Sequence, residues 1–241
     1  KVQQAGAGIH AITNEDGIYQ YYRVSVVCRR RINSKSGKEM NTVPIIGISR
    51  HRLATDGKGV TTLVAFHGCP LRCKYCLNPQ SLQPAGIWKH YDCLQVYEEV
   101  KIDELYFIAT GGGVTFGGGE PLLQSDFICD FRELCGPQWQ LTVETSMNVS
   151  QKQIEKLLPV IDHYIIDIKD MNCDIYKQYT GKENQQVISN LHWLISQGKA
   201  EQITVRIPHI PSYNTSLDME KSMYQLKELG LSHFDQFIYH T

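Results

Sequence analysis

The sequence has no apolar run long enough to span a membrane and no excess of charge of either sign. Its 24 lysine and arginine residues face 25 aspartate and glutamate residues, and the only basic run is Arg29-Arg30-Arg31. A membrane span needs about 20 consecutive apolar residues, and a nucleic-acid footprint needs a basic surface. We therefore expect neither a membrane protein nor a partner of nucleic acids.

The first residues, KVQQAGAGIH, lack the basic region and apolar core of a secretory signal. We therefore expect a cytoplasmic protein whose eight cysteines are thiols or metal ligands rather than disulfides. Five of the eight have no paired spacing, which predicts that the chain has no second metal centre. These five are Cys28, Cys93, Cys129, Cys135 and Cys173.

From about residue 60, short β-type runs alternate with helical patterns, which is typical of a parallel sheet covered by helices. Ser150 and Gln153 have the spacing of a capping box and predict a helix start, with Ile154, Leu157 and Leu158 facing the core. Residues 1–45 do not follow the alternation and resemble an appended β-hairpin, so the predicted domains are 1–45 and 46–241. The six predicted strands span 62–66, 114–116, 140–144, 163–169, 202–207 and 234–239.

The remaining cysteines, Cys69, Cys73 and Cys76, lie in the short stretch HGCPLRCKYCLNP with C-x-x-x-C-x-x-C spacing. A structural zinc site takes four ligands. His67 or a remote residue would have to complete such a site, since the sequence has no second C-x-x-C or H-x-x-x-H pair. An electron-carrying [4Fe–4S] cluster normally takes four cysteines. A cluster on three cysteines would leave one iron open to a ligand that is not protein.

The segments around these cysteines resemble a known family. Tyr75 precedes the last cysteine, as an aromatic residue does in the radical S-adenosylmethionine (SAM) enzymes, whose three cysteines bind a [4Fe–4S] cluster with SAM on the fourth iron. Residues 56–70 read DGKGVTTLVAFHGCP, and residues 110–124 read TGGGVTFGGGEPLLQ. Both segments resemble those of the glycyl-radical-enzyme activating enzymes, the group typified by pyruvate formate-lyase activating enzyme. The similarity covers about residues 45–241.

The resemblance implies a partial (β/α)6 TIM-like barrel with one [4Fe–4S] cluster on the three cysteines, bound SAM and a monovalent cation. In such a site the glycine-rich segment holds the amino group of SAM. Glycines let the backbone approach a ligand closely, and Glu120 offers a carboxylate to an ammonium group. Tyr75 would lie beside the adenine. The implied cofactor-binding residues are Tyr75, Gly118, Gly119, Glu120, Glu144, Asp167, Lys169, Arg206 and His240.

These polar positions lie at the C-terminal ends of predicted strands, where ligand sites form in parallel α/β folds. The chain departs from the family at Gly117, where Ser is usual, and at Ile238, where Pro is usual. No cysteine array for further clusters follows Cys76. The family also continues through a C-terminal segment beyond residue 241.

The resemblance further implies that a flavodoxin or ferredoxin reduces the cluster by one electron, and that SAM is cleaved to a 5′-deoxyadenosyl radical. Our leading hypothesis is that the radical abstracts hydrogen from a glycine of a partner glycyl radical enzyme. Two alternatives stay open: radical modification of a peptide or small molecule, and a non-catalytic iron–sulfur or zinc protein. No catalytic side chain is assigned beyond the cluster and SAM.

Overall fold

The computed structural model describes residues 41–53 and 55–238, which form one eight-stranded mixed sheet with helices. The strand order is β3-β1-β2-β4-β5-β6-β7-β8, so the sheet has two free edges and does not close on itself. The strands are β1 (Val43–Leu53), β2 (Val60–Phe66), β3 (Lys89–Tyr91), β4 (Gly113–Gly118), β5 (Gln140–Thr145), β6 (His163–Asp167), β7 (Ile203–His209) and β8 (His233–Ile238).

The six strands from β2 to β8, leaving out β3, are parallel to their neighbours. Parallel strands need a crossover between them, and the alternating sequence pattern provides helices for it. The predicted α/β fold with an unclosed parallel sheet is therefore confirmed. Because the strands are parallel, their C-terminal ends meet at one edge of the sheet, which we call the C-terminal edge.

The described helices bury one apolar side; in α3, for example, Phe131 is fully buried. None of the helices in the described ranges combines the length and the apolar character that crossing a membrane requires. The helices are α1 (Cys93–Val100), α2 (Glu104–Thr110), α3 (Ser125–Cys135), α4 (Gln151–Leu157), α5 (Cys173–Thr180), α6 (Gln185–Ser196) and α7 (Ser216–Glu228).

The sequence pattern predicts only the start of β1, as the end of the N-terminal hairpin, and it does not predict β3. β1 pairs antiparallel with both β2 and β3, and register irregularities after Ile45 and after Ser49 interrupt its alternation. Because β1 begins at Val43, the predicted boundary at residue 45 falls inside this strand. Residues 1–40 lie outside the described residues, so the β-hairpin there stays a prediction.

The start of α4 shows how a local signal can mislead. Ser150 occupies the N-cap position but makes no side-chain hydrogen bond to the backbone, and its hydroxyl lies 3.5 Å from a side-chain oxygen of Gln153. The predicted capping box is therefore wrong. Ile154 and Leu157 are fully buried as expected, so the apolar spacing is what identifies this helix.

A buried carboxylate fixes β1 against the rest of the sheet. Asp103 is 0% exposed, and it accepts hydrogen bonds from Thr62 Oγ1 and Arg50 Nε, each at 2.8 Å. The Nε2 atom of His51 lies 2.9 Å from the same carboxylate. A buried carboxylate is stable only when hydrogen bonds compensate for the lost water. The packing of β1 therefore depends on these polar contacts as well as on the strand ladder.

We expect Asp103→Asn to lower the free energy of unfolding by about 1–3 kcal/mol, because the amide places an NH2 donor where one carboxylate oxygen accepts from Arg50 Nη2 and faces His51. Asp126→Asn is the matched control, since Asp126 forms an exposed pair with Lys156 at 2.7 Å. This control should change the free energy by less than about 1 kcal/mol. Urea unfolding followed by circular dichroism measures both, and equal losses would contradict the importance of the buried carboxylate.

Candidate active site

The three cysteines lie on the loop that follows β2, at the C-terminal edge. Two backbone hydrogen bonds join this cysteine loop to the glycine-rich loop that follows β4. The N–H of Gly119 donates to the carbonyl of Phe66 at 2.8 Å, and the N–H of Glu120 donates to the carbonyl of Gly68 at 2.8 Å. The two loops therefore form one structural unit.

The far side of the cysteine loop is bonded to the end of α5. The N–H of Arg72 donates to the carbonyl of Thr180 at 2.9 Å, and the N–H of Lys74 donates to the carbonyl of Tyr179 at 3.1 Å. Within the loop, Arg72 Nη1 donates to the carbonyl of Cys69 at 2.9 Å. The segment that carries the cysteines is thus held from both sides.

The contact between the two loops requires glycine. A Cβ atom at Gly119 would lie 2.2 Å from the carbonyl oxygen of Gly68, and one at Gly118 would lie 2.8 Å from the Cβ of Ala65. Gly118 also has a φ of +89°, which L side chains rarely adopt. The Asn78 amide donates to the Gly118 carbonyl at 3.2 Å. The backbone of the glycine-rich loop therefore approaches its neighbours more closely than any side chain would allow.

The carboxylate of Glu120 is used inside the protein. It is 1% exposed, and one oxygen accepts from Thr145 Oγ1 at 2.6 Å and from the N–H of Leu122 at 3.2 Å. The other oxygen accepts from the N–H and hydroxyl of Ser146 at 2.9 and 2.6 Å. A carboxylate has about four acceptor positions, so its capacity is filled. Glu120 therefore positions the glycine-rich loop against the end of β5, and its predicted role toward a ligand stays a prediction.

Burial and hydrogen bonding act in opposite directions on Glu120. Burial raises the pKa of its carboxyl above the ordinary value, while the hydrogen bonds from Ser146 and Thr145 favour the ionised form.

A second polar group lies at the ends of the next three strands. Lys169 Nζ is 2.9 Å from Asp167 Oδ2, and Arg206 forms an ion pair with Glu144. The other carboxylate oxygen of Asp167, Oδ1, is buried and has no hydrogen-bond partner among the described residues. A buried acceptor of this kind is uncommon, and it is suited to a donor or cation that a ligand would bring.

Arg206 also reaches the loop between β1 and β2. It donates to the carbonyl of Thr55, and its Nε lies 3.3 Å from Asp235 Oδ2. At the next residue of the same loop, the carbonyl of Asp56 accepts from the hydroxyl of Thr115 on β4. This loop therefore lies against one face of the sheet.

Burial and a neighbouring carboxylate raise the pKa of Glu144 to about 6. Burial contributes most, and the carboxylate of Asp167 adds to it because like charges oppose ionisation. The guanidinium of Arg206 acts in the opposite direction. Glu144 therefore titrates closer to neutral pH than an ordinary glutamate.

Two of the three cysteine thiols, those of Cys69 and Cys73, are disfavoured as thiolates. Burial raises the pKa of Cys69 to about 12, with the charge of Glu120 adding to the effect. Burial also raises the pKa of Cys73, opposed by the ammonium of Lys169. Within the described ranges, no three His, Cys, Asp or Glu side chains are arranged to hold a single metal ion. A group that binds these sulfurs as thiolates must bring its own positive charge.

Three tyrosines pack beside one of the cysteines. The ring centroids of Tyr75 and Tyr179 are 6.1 Å apart, those of Tyr75 and Tyr213 are 5.8 Å apart, and those of Tyr179 and Tyr213 are 5.3 Å apart. Cys73 packs against this tyrosine cluster together with Ile210. The cluster covers one side of the cysteine loop with aromatic surface.

Residues 63–222 match the family model described as the radical SAM superfamily. The match spans the cysteine loop, the glycine-rich loop and the second polar group. The chain belongs to the radical SAM superfamily.

Curated relatives of this radical SAM enzyme are named as activating enzymes. The (2S)-3-sulfopropanediol dehydratase activating enzyme of Klebsiella oxytoca is 30% identical over 238 residues, covering 73% of this chain and 74% of the relative. The pyruvate formate-lyase-activating enzyme of Clostridium pasteurianum is 39% identical over 127 residues, covering 53% of each chain. This chain therefore spans about half of the second relative.

A solved structure bound to S-adenosylmethionine shares the fold. Streptococcus suis SuiB bound to S-adenosylmethionine superposes with a TM-score of 0.57 at 13% identity, over 74% of this chain and 42% of that chain. At this identity the likeness shows the common fold alone, and this chain spans less than half of SuiB.

The radical SAM fold brings most of the predicted site residues together. Glu120 lies close enough to Cys69 for its charge to act on the thiol, and Lys169 and Asp167 act likewise on Cys73. His240 lies outside the described residues. The roles of all these residues toward SAM stay predictions.

Several residues of the site were not among the predicted site residues. Thr145 and Ser146, which hold Glu120, directly follow Glu144 in the quoted strand end and could have been found as hydroxyls beside a predicted acid. Tyr179 and Tyr213 belong to no motif. Only the folded chain places them beside Tyr75.

We expect Gly119→Ala to lower the free energy of unfolding by about 1–3 kcal/mol, because the added methyl overlaps the carbonyl of Gly68 and must displace the cysteine loop. Iron content after anaerobic reconstitution should fall in the same variant. Gly47→Ala is the matched control, since a Cβ there would meet nothing within 4 Å. If both variants unfold at the same urea concentration and bind equal iron, the close approach is not a requirement.

We expect the stability of the chain to depend on pH through Glu144. Its folded pKa of about 6 lies above the unfolded value, so its contribution is fully present below about pH 4.3 and is lost as the pH rises through 6. The free energy of unfolding of the wild type, minus that of Glu144→Gln, should fall by up to about 2 kcal/mol between pH 4 and 7. Exposed Glu155→Gln serves as the control, and parallel profiles for wild type and Glu144→Gln would contradict the assignment.

Proposed function

We propose that this radical SAM enzyme uses one [4Fe–4S] cluster and SAM to remove a hydrogen atom from a glycine of a partner glycyl radical enzyme. When bound, these cofactors supply one-electron reduction and a 5′-deoxyadenosyl radical. The observation that carries the proposal is the union of the three-cysteine loop with the glycine-rich loop at the C-terminal edge, through the bonds of Gly119 to Phe66 and of Glu120 to Gly68.

The donor set fits an iron–sulfur cluster. Cys69, Cys73 and Cys76 would hold it, since soft thiolates are the ligands of such clusters. The raised pKa of Cys69 means that its sulfur binds as a thiolate only when metal charge compensates. Each cysteine of a cluster binds its own iron, so the three sulfurs need not converge on one ion. These features favour a cluster over the zinc alternative.

The polar groups at the C-terminal edge fit a ligand with an amino group and hydroxyls. The backbone of Gly118 and Gly119 would hold the amino group, because no side chain stands between it and a ligand. The buried Oδ1 of Asp167 would accept from the ligand or bind a monovalent cation. Glu144 and Lys169 would complete the pocket, and His240 keeps its predicted role in contacting SAM.

The tyrosine cluster excludes water from the side of Cys73. Tyr179 is 0% exposed, and Tyr75 and Tyr213 cover it with partly buried rings. Exclusion of water suits radical chemistry, because it protects a reactive species from solvent. Tyr75 packs within this cluster, and its place beside the adenine stays a prediction.

The choice of a glycine as hydrogen donor is supported by the names of the curated relatives, which are activating enzymes. Radical modification of a different peptide or of a small molecule is the alternative. The second experiment below distinguishes it from hydrogen abstraction at a glycine. A flavodoxin or ferredoxin is the proposed electron donor, and the cytoplasm the proposed location.

The first experiment tests the cluster and SAM chemistry. After anaerobic reconstitution with iron and sulfide, wild type given SAM and dithionite should form 5′-deoxyadenosine. Cys73→Ala should lose bound iron, the cluster absorbance and this product. Cys173→Ala, at an exposed cysteine outside the site, should keep all three. No 5′-deoxyadenosine from the wild type would refute the enzymatic proposal.

The second experiment tests the hydrogen donor. Electron paramagnetic resonance should detect a glycyl radical when reconstituted enzyme, SAM and a glycyl radical enzyme from the same genome are combined, and a Gly→Ala variant of the target glycine should abolish it. Formation of 5′-deoxyadenosine with a peptide or small molecule, and no glycyl radical with any such partner, would favour the alternative.

A further inference from the structure

Four exposed cations surround the outer face of the cysteine loop. Arg72 and Lys74 belong to the loop itself, and Lys177 and Lys182 lie at the end of α5; all four are exposed. We call them the basic patch. Glu183 pairs with Lys177 at 3.0 Å, which leaves Arg72, Lys74 and Lys182 as the excess of positive charge.

Hydrogen bonds make the basic patch one surface. The backbone bonds from Arg72 to Thr180 and from Lys74 to Tyr179 align the loop with the end of α5. A Cβ placed on Gly181 would lie 3.9 Å from the Cβ of Arg72, so the two segments lie close together there. The charges therefore act on an approaching protein together.

The basic patch lies directly outside one cysteine. Cys73 stands between Arg72 and Lys74 in the chain, and its side chain packs inward against Tyr179 and Ile210. A partner bound at the patch would therefore contact the segment of chain that carries this sulfur.

We infer that the basic patch is the docking surface for an acidic protein that donates one electron to the site. This inference rests on the proposed function, because an electron is needed only if the three cysteines hold a redox cluster. In the step, the donor is oxidised by one electron and the cluster is reduced by one; no bond forms and no proton moves.

The chemistry of the surface favours this occupant. Complementary charge steers association and is weakened by salt, which suits a donor that must bind and leave quickly. Leu77, on the same cysteine loop, is 75% exposed and offers an apolar contact within the polar surround. Asp174 is a carboxylate at the opposite end of α5. Its electrostatic effect on Lys177 is weaker than that of Glu183.

The test compares Lys74→Glu/Lys182→Glu with Lys101→Glu/Lys199→Glu. Lys101 and Lys199 lie before β4 and β7, at the opposite edge of the sheet, and give the same change in net charge. Arg72 is left unchanged because it also bonds to the carbonyl of Cys69. All forms are reconstituted anaerobically and matched for iron content.

The probe is a flavodoxin of net negative charge, and two readouts are measured. The oxidised flavodoxin gives a dissociation constant by titration calorimetry, and the reduced flavodoxin gives the rate at which the cluster absorbance is bleached. The patch variant should lose at least about tenfold in both at low ionic strength, and the difference should shrink at about 0.5 M salt. The control variant should match the wild type in both readouts.

Reduction by dithionite, which needs no docking, should proceed at the wild-type rate in every variant. An unchanged flavodoxin rate in the patch variant, an equal loss in the control variant, or a loss with dithionite would each overturn the inference. So would a patch variant that binds flavodoxin normally but loses affinity for the glycyl radical enzyme. Bleaching reports reduction of the cluster, which precedes any hydrogen transfer. The docking result can therefore be interpreted even if the glycyl-radical proposal fails.

Discussion

The hydrogen bonds between the cysteine loop and the glycine-rich loop are the constraint on which the rest of the site depends. β2 and β4 pair in parallel up to Phe66 and Gly118, so the two loops leave the sheet side by side. Gly119 brings its backbone against the carbonyl of Gly68, where a side chain would collide. The sulfurs are therefore placed by main-chain geometry, which varies less than side-chain rotamers do.

Glu120 extends this constraint to a third strand. Its saturated carboxylate connects the glycine-rich loop to Thr145 and Ser146 at the end of β5. These hydrogen bonds fix the direction of the Glu120 carboxylate, and the roles of Glu120 and of the carboxylates farther along the edge toward a ligand stay predictions. Among these, Asp167 differs because one of its buried oxygens has no partner among the described residues.

Much of the fold and of the site could be predicted because the informative signals are local. The β-type runs mark the six parallel strands, and the cysteine spacing and glycine block are each contained in one short segment. What could not be predicted depends on pairs distant in sequence. The hydroxyl partners of Glu120 and the contacts of Tyr75 with Tyr179 and Tyr213 arise only when the chain folds. Most of β1 could not be predicted, because its register irregularities and its exposed end hide the alternation of buried and exposed residues that is typical of a strand.

Arg206 has a mechanical consequence for the open sheet. One side chain connects β7 through Glu144 to β5, through Asp235 to β8, and through the carbonyl of Thr55 to the loop that enters β2. β2 and β7 are separated by three strands in the sheet order. Arg206 therefore joins the loop that enters β2 to β5, β7 and β8 by side-chain contacts, independently of the hydrogen bonds between the strands.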